Sequence, residues 1–159
     1  FNMADTDSVF EFLHMQIVEY IHEVHGKESE NNATYTLEQM GFTIGQRLAE
    51  RFTKETARFK DDLDVMKYIC KEFWTALYKK QIDNLRTNHQ GVFVLQDNRF
   101  KLLTQISDTE EFIAPAAKYL SLPCGLIRGA LANLGIPSIV GAEITTMPMC
   151  KFTINIQKH

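Results

Sequence analysis

The sequence predicts an α+β fold built on a four-stranded antiparallel sheet, and three observations carry that prediction. Asp61–Lys80 is a long run with apolar residues at helical spacing. Gly91–Ile106 and Pro137–Gln157 each read as a β-hairpin. The order is three helices, a hairpin, two shorter helices and a second hairpin. That grouping lacks the strand–helix–strand alternation of a parallel sheet.

Taken in order, Ser8–Val24 is expected as the first helix, with Ser8 and Glu11 in a capping-box pattern. Phe10, Leu13, Ile17, Tyr20 or Ile21, and Val24 form one stripe, and Val9, Phe12 and Met15 widen it. So much apolar circumference predicts neighbours on two sides, one of them from another chain. His25–Tyr35 is polar and aperiodic, hence a loop. A second helix is expected from Thr36, capped with Gln39, and its buried stripe is Leu37, Met40, Ile44, Leu48 and Phe52. Gly41 and Gly45 lie on adjacent turns, where glycine weakens a helix. Close approach by another helix is the expected compensation.

Asp61–Lys80 is the third helix. Leu63, Met66, Cys70, Phe73 and Leu77 recur at spacings of three and four, and Ile69, Trp74 and Tyr78 broaden the face. Asp61 and Asp62 suit its first turn and Lys79 and Lys80 its last. Gln81–Gln90 reads as a polar loop. Gly91–Gln96 and Phe100–Ile106 then pair across an Asp97-Asn98 turn. Asp108–Leu120 is a short helical region, bent or restarted at Pro115. Pro123 starts a last helix with Leu126, Ile127, Ala130, Leu131 and Leu134 inward and Gly135 as its stop. Pro137–Met147 and Cys150–Gln157 are the terminal strands, joined at Met147-Pro148-Met149.

The length, 159 residues, fits one domain, expected to span 3–159 with Phe1–Asn2 a remnant ahead of Met3. Hydrophobic content is 45% and charged content 23%, ordinary for a folded soluble protein. Eleven phenylalanines argue for deep grooves or a buried subunit interface. A net charge of −3 gives no nucleic-acid footprint. No stretch approaches the roughly 20 apolar residues that span a bilayer. Without an export signal, Asn32-Ala33-Thr34 reads as an accidental glycosylation pattern and the chain as intracellular.

Chemical motifs are sparse. Cysteines at 70, 124 and 150 make neither a disulfide framework nor a metal cluster. Cys124 opens a helix, where a thiolate is stabilised, and a thiol hydrolase would need His89 beside it. His22 and His25 lack a third metal ligand. Asp61, Asp62 and Asp64 read as a helix cap before they read as a Mg²⁺ site. Gly41–Gly45 lacks the lysine of a phosphate loop. Arg128 interrupts an apolar helix and is the candidate for a buried ion pair or subunit contact. No catalytic, cofactor-binding or metal residues are assigned. The rival to an interaction module is a lipid- or small-molecule-binding domain, its pocket lined by Phe59, Phe73, Trp74, Phe112 and Leu126.

Three stretches carry a specific resemblance. MGFTIGQRLAERFTKETARFKDDLDVMKYICKEFW at 40–74, DNLRTNHQGVFVLQD at 83–97 and LPCGLIRGALANLGI at 122–136 resemble small subunits of the transport protein particle (TRAPP) family. With the ending MPMCKFTINIQK they resemble its sixth-subunit, Trs33-like branch, over nearly all of Met3–His159. The resemblance implies the BET3-like fold, with helices on one side of the sheet. It implies a non-catalytic place in a vesicle-tethering complex that promotes nucleotide exchange on a Rab GTPase in early secretory traffic. It implies cytoplasmic residence, with peripheral attachment to cis-Golgi and endoplasmic reticulum membranes through the complex.

By the same resemblance the partner is the third, palmitoylated subunit, met through the first two helices. The positions assigned to that contact are Phe10, Leu13, Ile17, Leu37, Met40, Ile44 and Leu48. Other subunits of the complex would follow, with indirect contact to the GTPase and a homodimer as the state open to the isolated chain. Thr56 stands where the third subunit has its lipidated cysteine, and no cysteine is near, so palmitoylation by that route is not expected here.

Overall fold

A computed structural model describes residues 3–26, 29–106 and 113–158. Phe1–Asn2 and Phe112 lie outside the described residues, as does the 108–112 part of the expected Asp108–Leu120 helix. The helices are α1 (Met3–His25), α2 (Glu30–Thr53), α3 (Asp62–Tyr68), α4 (Trp74–Tyr78), α5 (Lys101–Thr104), α6 (Ile113–Ala116) and α7 (Ser121–Asn133). A π turn, Ile69–Phe73, joins α3 to α4, and a 3₁₀ turn, Ala117–Leu120, leads into α7. The strands are β1 (Asn84–Thr87), β2 (Val92–Asp97), β3 (Ser138–Thr146) and β4 (Met149–Ile156). They form one antiparallel sheet in the order β1-β2-β4-β3.

The register gives the sheet one buried face. Phe93, Leu95 and Asp97 of β2 lie opposite Ile154, Phe152 and Cys150 of β4, and all six are buried. Alternate residues such as Val94 and Thr153 face the other way and are only half buried. The helices cover the first face alone, as the α+β reading and the family resemblance both require.

Both early capping-box readings fail. Ser8 lies inside α1, which begins at Met3. Thr36 lies inside α2, which begins six residues sooner, capped by Ser29 accepting from Asn32 N–H at 3.2 Å. Most of the expected 25–35 loop is therefore helix. It is polar because its first turns face solvent, with Ala33 and Leu37 pointing inward. Thr36 Oγ1 instead meets His25 Nε2 at 3.2 Å, tying the two helices together.

The expected third helix is present, with Asp61 accepting from Asp64 N–H at 2.8 Å as its cap. It ends at Tyr78, because Lys79 is left-handed at φ 59. The π turn adds one residue to the repeat and rotates the buried face. Leu63, placed in the stripe by spacing, is 36% exposed, while Val65 is buried. After the turn Cys70, Phe73, Trp74, Leu77 and Tyr78 all pack inward. Trp74 packs at a tilt against Tyr78 at 4.5 Å and meets the Phe152 ring edge-on at 5.3 Å, so the helix is nailed to the sheet by aromatic rings.

The first hairpin is not the expected one. β2 pairs with β1, which lies in the supposed 81–90 loop, and Phe100–Ile106 is no strand. Leu102 and Leu103 are adjacent and both buried, which a strand with one face inward cannot arrange. The terminal hairpin is as expected, with β3 and β4 joined through a cis Met147–Pro148 peptide.

Glycine spacing becomes helix packing. α2 lies closely along α7, and both contribute glycines at the crossing. A methyl group on Gly41 or Gly45 would fall 2.9 Å from Leu126 backbone atoms. One on Gly125 or Gly129 would fall 2.9 Å from Phe42 backbone atoms. The helix propensity lost at these positions is exchanged for backbone-to-backbone contact.

Candidate partner interface

α1 has more apolar circumference than the core can use. His14 and Val18 turn inward and are 1% and 0% exposed. Phe10 lies beside them, its ring 6.0 Å from Tyr78. On the opposite side Val9, Phe12, Leu13, Tyr20 and Val24 remain 56–65% exposed. Val9, Leu13, Tyr20 and Val24 are spaced four, seven and four apart, which puts them on one side of the helix. α2 adds Ile44 and Phe52, each 41% exposed. Half-buried Phe10, Ile17, Ile21, Met40 and Leu48 contact the core from below.

Six of the seven residues assigned to the interface keep some exposed surface. Leu13 and Ile44 are exposed, and Phe10, Ile17, Met40 and Leu48 are half buried. Leu37 does not fit. It is fully buried in the core of its own chain, so it is corrected from contact residue to core residue. Val9, Phe12, Tyr20 and Val24 are better exposed than most of the assigned set. Their signal was in the sequence, as the width of the first stripe.

Phe10, Leu48, Phe52, Leu77 and Tyr78 line a pocket of about 310 Å³ between α1, α2 and α4. It is not the pocket expected from spacing. Phe73, Trp74 and Leu126 are sealed in the core, while Phe59 packs half-buried against the Tyr68 ring at 5.4 Å.

The reactive candidates are quiet. Cys70, Cys124 and Cys150 are free thiols, all buried. Burial pushes Cys70 and Cys124 up to about 12 and raises Cys150 further, the opposite of an activated thiolate. Cys124 lies in the fourth position of α7, preceded by a 3₁₀ turn, so it does not open a free helix end. His89 sits in the exposed turn between β1 and β2, and the structure does not bring it to Cys124. Among the described residues no group of three or more His, Cys, Asp or Glu could hold a metal ion. Arg128, expected in a buried ion pair or a subunit contact, makes no salt bridge among the described residues. Its guanidinium lies 4.3 Å from the centre of the Phe42 ring, with Glu38 near enough to offset part of the burial that raises that carboxyl's pKa. No helix among the described residues is long and apolar enough to cross a membrane.

A two-layer α+β domain with an uncovered apolar helix face defines an assembly subunit more readily than a reaction centre. Residues 10–157 match the family described as "Transport protein particle (TRAPP) component". The chain belongs to that family, in its subunit 6 branch. It is 58% identical over 157 residues to trafficking protein particle complex subunit 6b of Danio rerio, covering 98% of this chain and 99% of the relative. It is 46% identical over 159 residues to subunit 6A of Homo sapiens, with the same coverage of each. The fold itself is that of a crystal structure of subunit 3 from Naegleria fowleri covalently bound to palmitic acid. That likeness has a TM-score of 0.71 at 19% identity, covering 94% of this chain and 96% of the other.

Proposed function

We propose that the chain is a non-catalytic structural subunit of the TRAPP vesicle-tethering complex in endoplasmic reticulum-to-Golgi and Golgi traffic. It pairs with the third, palmitoylated subunit through the α1–α2 face and supports Rab nucleotide exchange by holding the complex together. The protein is cytoplasmic and reaches membranes through its partners.

The observation that carries this reading is the stripe of Val9, Leu13, Tyr20 and Val24, extended by Phe12, Ile44 and Phe52, left exposed by a chain whose core is already complete. Burying apolar area is worth about 25 cal/mol per Å² before association entropy is deducted. A standard interface of about 1,600 Å² therefore has a gross driving force in the tens of kcal/mol. Two charges placed in that face would remain solvated in the free chain and be stranded in the complex. Leu13→Glu combined with Ile44→Glu is expected to keep the helical circular dichroism and to lose co-elution with subunit 3. Retained co-elution would refute the assigned face.

The pocket beside Phe10 and Tyr78 favours a second reading, in which the domain holds an apolar small molecule or acyl chain. Its volume and apolar lining suit such a guest. Native mass spectrometry of the purified chain separates the two: a bound acyl mass in the absence of subunit 3 supports the second reading, and a bare chain removes it.

A further inference from the structure

β3 is an edge strand, with β4 its one hydrogen-bonded neighbour among the described residues. The register shows which of its backbone groups are left over. Gln157 N–H donates to Pro137 O at 2.8 Å, and Ile139–Asn155 and Gly141–Thr153 continue in the same phase. Antiparallel ladders alternate, so the amides and carbonyls of Val140 and Ala142 point away from β4. Among the described residues no hydrogen bond reaches those groups.

Two clefts of about 300 and 320 Å³ run beside that edge. One is lined by Tyr35, Gln39, Ser138 and Val140, the other by Glu30, Thr34, Ser121 and Ala142, and Glu38 lines both. The helix layer stops short here: Val140, Ala142 and Ile144 are half buried, while Phe152 and Ile154 on the next strand are fully buried. Ser138 Oγ in the first cleft and His22 Nε2 in the second are buried without a hydrogen-bond partner among the described residues.

The charges decide the occupant. Lys118, in the second cleft, is held by Glu19 at 3.3 Å, and Arg128, in the first, lies on the Phe42 ring and offsets only part of the burial of Glu38. Glu30 and Glu38 make no salt bridge among the described residues. Pairing of β3 with β3 of a second copy would bring no cation, because Ser138–Thr146 holds no lysine or arginine and carries Glu143.

We propose that β3 accepts an extended segment of another polypeptide as a fifth strand, with a lysine or arginine of that segment lodged between Glu30 and Glu38. Main-chain bonds to Val140 and Ala142 would supply affinity, and the Glu30 and Glu38 carboxylates would choose the sequence. Adding a strand also covers the half-buried apolar row and closes a nine-residue open edge. The site is separate from the α1–α2 face and does not depend on the partner assigned there.

The test uses the full chain and two capped nine-residue peptides of alternating valine and threonine, one with a central lysine and one with a central glutamate. Anisotropy gives affinity, and NMR hydrogen exchange gives site. The lysine peptide is expected to slow exchange at Val140 and Ala142 at least tenfold and to bind at least fivefold more tightly than the glutamate peptide. Glu38→Gln should bring that preference below twofold. Val140→Pro removes an outward N–H without touching the β4 ladder and should abolish binding; its folding is checked by circular dichroism. Equal binding of both peptides overturns the proposal, as does unchanged exchange at the two amides. Concentration-dependent protection of those amides without peptide also overturns it, since the occupant is then a second copy.

Discussion

Trp74 Nε1 donates a 2.9 Å hydrogen bond to Asp97 Oδ2, joining the helical layer to the end of β2 inside the core. Asp97 is completely buried and also accepts from Lys80 Nζ and from Arg99 N–H, the latter at 3.0 Å. One carboxylate thus satisfies an indole, an ammonium and the turn that follows β2. Removing it strands the buried indole donor and leaves Lys80 with Asp83 alone, at 2.7 Å. Asp97→Ala is expected to cost about 3 kcal/mol in urea unfolding. Asp97→Asn should cost clearly less, because its amide oxygen still accepts from Trp74. Equal losses would show that the indole bond is incidental.

His14 makes stability depend on pH. Burial lowers its folded pKa to about 4 from 6.5, and neither ring nitrogen has a hydrogen-bond partner among the described residues. Above 6.5 the imidazole is neutral in both states and stability is at its full value. Between about 6.5 and about 4 the unfolded chain takes up a proton that the folded chain refuses, so stability falls as pH falls. The whole loss is about 3 kcal/mol, and it levels off once the folded imidazole titrates too. His22, lowered mainly by burial, adds to the same slope. His14→Phe should flatten most of the decline between pH 6.5 and 5 and raise stability at pH 7 by about 1 kcal/mol, read from urea midpoints at each pH.

The helix crossing has its own test. Gly45→Ala gains about 1 kcal/mol of helix propensity but drives a methyl group into the Leu126 backbone. Backbone cannot step aside as a side chain can, so the net result should be a loss of about 2 kcal/mol, seen as a lower melting temperature. Gly141, whose added methyl group would meet nothing within 4 Å, is the control. Gly141→Ala should change stability by less than about 0.5 kcal/mol.

How much could be read from the chain follows from what each signal measures. The 3.6-residue repeat announced Asp61–Lys80 and α7, and the glycine pairs announced that two helices touch. The π turn stayed hidden because one inserted residue widens a stripe without breaking it, and Leu63 was misplaced for that reason. β1 was missed because Asn-Leu-Arg-Thr is short and offers no apolar alternation. Phe100–Ile106 was misread because four apolar residues in a stretch of seven, Phe100, Leu102, Leu103 and Ile106, fit strand and helix equally. At the partner face, periodicity said that Leu37 and Ile44 face something, but it could not say whether that was the chain's own core. Leu37 closes on the core and Ile44 is left outside, a distinction made by tertiary packing alone.

The exposed α1 stripe also predicts behaviour in the absence of a partner. Five large apolar side chains at 56–65% exposure should bind a hydrophobic dye or drive self-association at high concentration. Phe12→Ser together with Leu13→Ser should reduce dye fluorescence severalfold while the unfolding midpoint moves by less than about 0.5 kcal/mol, since neither residue belongs to the core.

The most direct test is the molar mass, by light scattering in line with size-exclusion chromatography, of this 18.3 kDa chain mixed with an equimolar amount of TRAPP subunit 3. A single peak at the summed mass of one copy of each is the predicted result. Two separate peaks, with this chain eluting at its own monomer mass, would contradict it.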